Sequence, residues 1–162
     1  MLSYQHAFHA GNHADVFKHL TLALITKAYC RKDKPFVYFD AQAAAALYAL
    51  DDERALQTGE AESGILPLMQ KPLAELIKGK LDCALKAENA ENNEEAIKEA
   101  FEIFEEYLNF CTRLKDSSGL YPGSPAVVCN FARPKDQLVL MELHSSEIEN
   151  LKANVELIKN GI

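Results

Sequence analysis

Apolar positions recur along this chain with two different periods, and the period changes mark its elements. From Asn12 the pattern is helical. Asn12 is placed to cap, Asp15 falls in the first turn beside the positive helix end, and Val16, Leu20, Ala23 and Leu24 form an apolar stripe reaching to Tyr29. The turn Lys32-Asp33-Lys34-Pro35 then leads into Phe36-Val37-Tyr38-Phe39, a run of β-forming residues that ends at Asp40 and reads as a buried strand. The alanines at 41, 43, 44, 45, 46 and 49 favour a helix directly after it.

Between Thr58 and Leu114 the pattern predicts helices only, punctuated by Gly59, Gly64, Pro67, Pro72 and Gly79, with a polar break over residues 89–93. The clearest helix covers 94–114. Its residues Ile97, Phe101, Phe104, Leu108 and Cys111 share one face, a stripe that reads as core, while Glu95, Glu99, Glu102 and Glu106 decorate the other. Tyr121-Pro122-Gly123-Ser124-Pro125 reads as a turn opening a helix over 126–132. A second strand over 137–143 carries Leu138, Val139, Leu140, Met141 and Leu143 and ends near Glu142. A last helix over 147–159 follows, with Ser145 or Ser146 as its cap and Glu149 in the capping-box position if Ser146 serves.

A chain of 162 residues, 48% apolar and 25% charged, fits one ordinary globular domain. Its apolar runs are far shorter than the ~20 residues of a membrane-spanning helix, and its start lacks a basic region followed by an apolar one. A cytoplasmic protein with no membrane partner is the expectation. Cys30, Cys83, Cys111 and Cys129 form no CxxC pair and read as reduced, mostly buried thiols. The net charge of −7 supplies no global field for nucleic acid. Acid is concentrated over 88–106, whereas Lys18, Lys27, Arg31, Lys32 and Lys34 lie toward the other end, which leaves room for a local basic patch.

Two strands that each end in an acid, joined by helical crossovers, point to a nucleotide-type site at their carboxyl edge. Asp40 would orient ligand groups there, and Glu142 would accept hydrogen bonds from ribose hydroxyls. The plainer alternative is that both acids merely cap the helices that follow. Tyr4, His6, His9, His13, Lys18 and His19 crowd around Gly11-Asn12. The histidine spacing offers no complete ligand set, so no metal is expected. Imidazoles, a phenol and an ammonium near a helix start suit a carboxylate, a phosphate or an aromatic base.

Several blocks, taken in order, carry a resemblance. They are Met1-Leu2-Ser3-Tyr4, His9-Ala10-Gly11-Asn12-His13-Ala14-Asp15-Val16, Lys18-His19, Lys32-Asp33-Lys34-Pro35-Phe36, Thr58-Gly59-Glu60, Gly64-Ile65, Tyr121-Pro122-Gly123-Ser124-Pro125 and Glu142-Leu143-His144. The chain resembles the N-terminal part of the ribosomal RNA large subunit methyltransferase J family, which makes N6-methyladenine in 23S rRNA. The resemblance implies an α/β, helix-rich chain with a partial class I S-adenosylmethionine (SAM) methyltransferase fold, Rossmann-like, over 1–57 and 116–162, and a helical insertion over 58–115. It further implies SAM contacts from Lys18, His19, Ser124 and Glu142 and places Tyr4 near the target adenosine; Asp40, from its strand end, and Gln42, in the loop after it, join the SAM contacts, and His6, from the N-terminal cluster, joins Tyr4 toward substrate RNA.

Gln42, Ala44 and Ala46 stand where the family has a histidine and two glycines, which predicts a narrowed pocket or a loop turned to helix, and weaker SAM binding. No Asp-Pro-Pro-aromatic or Asn-Pro-Pro-aromatic tetrapeptide occurs in the chain, so no catalytic residue is assigned. With only two central strands, the expectation is a homodimer, a complementing chain that completes the sheet, or a rearrangement into a mostly helical domain. The alternative function is a non-catalytic, methyltransferase-like binding or interaction protein.

Overall fold

The computed structural model of the chain describes residues 5–70, 75 and 94–160. Tyr4, Pro72, Gly79, Cys83 and the polar stretch 89–93 lie outside the described residues. Helix α1 (His13–Cys30) starts where expected: the side-chain oxygen of Asn12 accepts from the Asp15 N–H at 2.9 Å. Its deepest line is Asp15, His19, Ala23 and Thr26. The predicted apolar stripe is therefore rotated, with Val16, Leu20 and Leu24 only half-buried on its flanks. Asp15 and His19 can lie deepest because His6, Tyr107 and Tyr121 on the surrounding elements bring polar partners, and Thr26 because it bonds to Leu22 O of its own helix.

Strand β1 (Val37–Asp40) ends at the predicted acid. The alanine-rich stretch after it is not a helix. It forms turns and then strand β2 (Leu47–Ala49), with Ala44 and Ala46 at φ +46° and +63°. Helix propensity favours alanine by only a few tenths of a kcal/mol per residue, and three tertiary hydrogen bonds oppose it. Ala44 N–H donates to the Glu142 carboxylate at 2.9 Å, the Asn154 amide donates to Ala45 O at 2.8 Å, and Gly123 N–H donates to Ala46 O at 2.8 Å. The last contact needs glycine: a Cβ on Gly123 would lie 2.9 Å from Tyr48 and 3.1 Å from Ala46 O.

Three short helices follow, α2 (Glu53–Thr58), α3 (Glu60–Ser63) and α4 (Ile65–Met69). Gly64 docks this group against the turn before α1, because a Cβ there would lie 2.1 Å from Gly11 O. The long helix α5 (Glu94–Ser118) buries Ile103, Tyr107, Leu108, Cys111 and Leu114. Of the predicted stripe, Leu108 and Cys111 reach the core while Ile97, Phe101 and Phe104 stay half-buried. Its acids do not form a separate pole. Glu106 pairs with Lys27 at 2.8 Å and Glu99 pairs with Arg31, so part of the basic end of α1 meets the acidic helix directly.

Residues expected as a turn instead form β3 (Leu120–Pro122), which pairs antiparallel with β2 in the register Leu47↔Pro122, Tyr48↔Tyr121. Helix α6 (Ser124–Phe131) begins immediately, with Pro125 in its first turn. Strand β4 (Gln137–Leu140) pairs parallel with β1, Val37↔Gln137 through Asp40↔Leu140. It stops earlier than predicted because the Glu142 carboxylate accepts from its own neighbours, Leu143 N–H and His144 N–H, both at 2.7 Å, and turns the chain. Helix α7 (Ser145–Lys159) is capped by neither serine: His144 is the N-cap residue without a side-chain bond, and Ser146 Oγ pairs with His144 Nδ1 at 2.9 Å.

The described residues thus form a mixed α/β, helix-rich chain with two two-stranded sheets. The largest core cluster lies between α1, α5 and α6 and includes Tyr107, Tyr121 and Val127. One face of the β1–β4 pair is bare, with Val37, Phe39 and Val139 exposed. Of the described cysteines Cys111 is buried, Cys30 half-buried and Cys129 exposed, all as free thiols.

Candidate functional site

A cleft of about 1010 Å³ opens at the carboxyl ends of β1 and β4, between α1 and the start of α7. His6, Lys18, Asp40, Gln42, Ser124 and Glu142 all line it. Of the eight residues singled out from sequence, His19 is fully buried and outside the lining, and Tyr4 falls outside the described residues.

The strand-end acids are held by short-range bonds. Asp40 accepts from the Tyr38 hydroxyl at 2.7 Å and from Gln42 N–H at 3.1 Å. Burial pushes the Tyr38 hydroxyl pKa up and Asp40 reinforces the shift, so Tyr38 stays a neutral donor. Glu142 accepts three backbone N–H bonds, from Ala44, Leu143 and His144. It ties the loop after β1 to the loop after β4. A carboxylate has about four lone-pair positions, so one acceptor direction is left for a ligand.

The other end of the cleft is built around Asp15, which is 2% exposed. Lys18 Nζ donates to Asp15 Oδ1 at 2.6 Å, while His6 Nε2 and Gly11 N–H meet Oδ2 at 2.9 and 3.0 Å. Burial alone would raise the Asp15 pKa. The hydrogen bond from His6 and the charges of His19, His6 and Lys18 outweigh it and hold the carboxyl well below the usual carboxylate range. His6 also stands edge-on to the Tyr48 ring, 5.1 Å between centroids.

Beneath the cleft, His19 Nδ1 lies 3.3 Å from the Tyr107 hydroxyl and 3.2 Å from that of Tyr121, and the two hydroxyls are 2.9 Å apart. Burial pushes the His19 pKa down to about 3, so the ring is neutral at ordinary pH. Its Nε2 has no hydrogen-bond partner and sits 4.0 Å from Asp15 Oδ1. The other histidines do not gather. His9 pairs with Glu60 at 2.9 Å, and among the described residues no group of three or more His, Cys, Asp or Glu is placed to hold a metal.

Sequence reasoning missed Asp15, Tyr107, Tyr121 and Glu147 as parts of this site. Asp15 was findable, since its spacing to Lys18 and His19, i+3 and i+4, puts all three on one helix face. Tyr107 lies outside the predicted stripe of α5, and Tyr121 inside the predicted turn. Glu147 lines the cleft at 3% exposure, with Oε1 unpaired by any hydrogen bond and Arg54 3.6 Å away. The arrangement offers carboxylate acceptors at the strand edge and an ordered lysine at the opposite end. It suits a ligand with hydroxyl or amino donors on one part and an anionic group on another.

Comparison with known proteins adds to the geometry. Residues 86–161 match the family model described as ribosomal RNA large subunit methyltransferase D, RlmJ. The chain is similar to ribosomal RNA large subunit methyltransferase J of Escherichia coli strain K12, 37% identical over 158 residues, covering 96% of this chain and 47% of the relative. The protein of the same name from Haemophilus influenzae strain Rd is 34% identical over 161 residues, covering 99% of this chain and 49% of the relative. The chain spans about half the length of the curated relatives it matches. A crystal structure of a Legionella pneumophila protein assigned to family model DUF519 superposes with TM-score 0.62 at 28% identity, covering 88% of this chain and 43% of that one. Among the described residues no helix is long and apolar enough to cross a membrane.

Proposed function

From its resemblance to ribosomal RNA large subunit methyltransferase J along nearly its whole length, we propose that this chain forms the SAM-binding portion of a 23S rRNA adenine-N6 methyltransferase. One observation carries the reading: six of the eight residues named from sequence line a single cleft at the carboxyl ends of a parallel strand pair. That is where a Rossmann-like sheet receives its ligand. On this reading residues 1–57 and 116–162 are the methyltransferase core, and 58–115 are its helical insertion.

The donor set fits the cofactor. Glu142 has one acceptor direction for a ribose hydroxyl, Asp40 and Gln42 line the cleft beside it, and Ser124 adds a hydroxyl at the start of α6. Lys18 supplies an ammonium for the carboxylate of the amino-acid end. SAM, when bound, supplies an already activated methyl group, so the protein's work is orientation. His6 and Tyr4 are the residues assigned to RNA. The bare face of the β1–β4 pair is assigned to a second copy or a complementing chain, since parallel strands are covered on both faces.

A second reading, a methyltransferase-like protein that binds without catalysis, is favoured by Ala44 and Ala46. They hold the left-handed backbone that glycine adopts freely and bring their methyl groups into the loop. Isothermal titration with S-adenosylhomocysteine tests the first reading, because product binding requires the pocket alone. Saturable binding, weakened by Glu142→Ala and by Ser124→Ala, is expected. A folded chain that takes up no S-adenosylhomocysteine would sink it.

A further inference from the structure

Lys18 is half-exposed on the cleft wall, yet its ammonium is not mobile in the way of a surface lysine, because it is anchored on a carboxylate that is itself buried. Asp15 receives Lys18 Nζ on one oxygen and both His6 Nε2 and Gly11 N–H on the other, while its own N–H is held by Asn12. A first-turn acid ordinarily bonds back to its own helix end. Here it reaches out of α1 to a histidine nine positions earlier, in the separate 3-10 turn His6–Phe8, while also holding Lys18 one turn further along α1 on the cleft wall.

We propose that Asp15 is the positioning residue of the cleft, fixing the Lys18 ammonium beside the His6 ring as a preformed contact for the anionic end of the ligand. The proposal rests on the SAM-binding reading and names what orders one end of that site. A free lysine has four side-chain torsions to freeze when it meets a ligand. One already held by Asp15 has less freedom to lose. Bonding to one carboxylate oxygen engages one of the three N–H donors and leaves two for the ligand. Asp15 also offsets part of the lysine's charge, so the contact selects by the placement of these donors more than by net charge. An isolated pair at a protein surface would hold the lysine only weakly. This one is different because the acid is 2% exposed and pinned from three sides.

The test compares two probes on the same chain: S-adenosylhomocysteine, which carries the amino-acid end, and methylthioadenosine, which lacks it. Asp15→Asn keeps the size and one acceptor but removes the charge that holds Lys18. We expect it to weaken S-adenosylhomocysteine about tenfold, within the range of coupling between residues in direct contact, and to leave methylthioadenosine unchanged. In a Lys18→Met background the same substitution should add nothing. Lys18→Met alone, at a half-exposed position, leaves Asp15 its bonds from His6 and Gly11 N–H and must reproduce the loss specific to S-adenosylhomocysteine.

Equal weakening of both probes, or an Asp15→Asn effect that persists without Lys18, would make Asp15 a structural residue and overturn the proposal. Unchanged S-adenosylhomocysteine binding in Asp15→Asn or Lys18→Met would overturn it too. Failure of the wild-type chain to bind either probe would instead remove the SAM-binding reading on which it rests.

Discussion

The inner face of α1 and the outer face of the β1–β4 pair depart from the usual distribution of polarity in opposite directions. The first buries Asp15, His19 and Thr26; the second leaves Val37, Phe39 and Val139 in solvent. The buried groups answer one another. Asp15 has Lys18, His6 and Gly11, His19 has two tyrosine hydroxyls, and Thr26 donates to Leu22 O at 2.8 Å. Nothing among the described residues answers the exposed ones. The polar interior is therefore a network closed but for His19 Nε2, whereas the apolar exterior stays open among the described residues.

The difference can be broken most forcefully at Asp15. Asp15→Ala leaves a lysine, a histidine and a buried backbone N–H without their acceptor, and should lower stability by about 2–4 kcal/mol, read by urea denaturation. A loss under about 0.5 kcal/mol, typical of a surface change, would mean the network contributes no more than an exposed pair.

Acid should act in the same direction. His19 is neutral when folded down to a pKa of about 3, against 6.5 for the free side chain. Between those values the unfolded chain binds the extra proton, so stability present above pH 6.5 falls as pH drops toward 3. The slope is at most about 1.4 kcal/mol per pH unit. Asp15, whose pKa is depressed, adds acid lability below the ordinary carboxylate range by the same linkage. Denaturation midpoints measured from pH 7 to 4 should show the decline, and His19→Gln should flatten it.

Ala44→Gly and Ala46→Gly sharpen the comparison at the loop between the two regions. Relief of the left-handed backbone should raise stability by up to about 1 kcal/mol each, offset in part by the freer unfolded chain. A helix at these positions would instead lose about 1 kcal/mol. The smallest effect belongs to the bare face. Phe39→Lys combined with Val139→Lys should change thermal stability by no more than about 0.5 kcal/mol per site, while sharply reducing the binding of anilinonaphthalene sulfonate. A marked destabilisation would mean the face is already packed.

The elements that were legible in the sequence are those whose signals are local. Asn12 caps α1 because its side chain needs only the next turn, and Phe36–Asp40 and 137–140 announce β1 and β4 through runs of β-forming residues. The alanine loop was misread because propensity is also local, whereas its conformation is imposed by Glu142, Asn154 and Gly123 from about 80 to 110 positions away. The same holds for the site. Lys18 and Ser124 were marked by the resemblance, and Asp40 and Glu142 already by their place at the strand ends. Asp15 was passed over because a search for apolar stripes treats a first-turn acid as surface, and no periodicity could pair His19 with Tyr107 and Tyr121 before the fold was known.

That polar inner face also bears on how the chain leaves the ribosome. β1 must wait for a partner 100 positions later, Val37 against Gln137, and His19 for Tyr121, 102 positions later. At about 5–20 residues per second, α1 emerges some 5–20 s before the surfaces it will pack against exist. A helix whose deepest positions were leucines would spend that interval as a binding target for chaperones and for neighbouring nascent chains. One whose deepest positions are an aspartate, a histidine, an alanine and a threonine presents less of such a target.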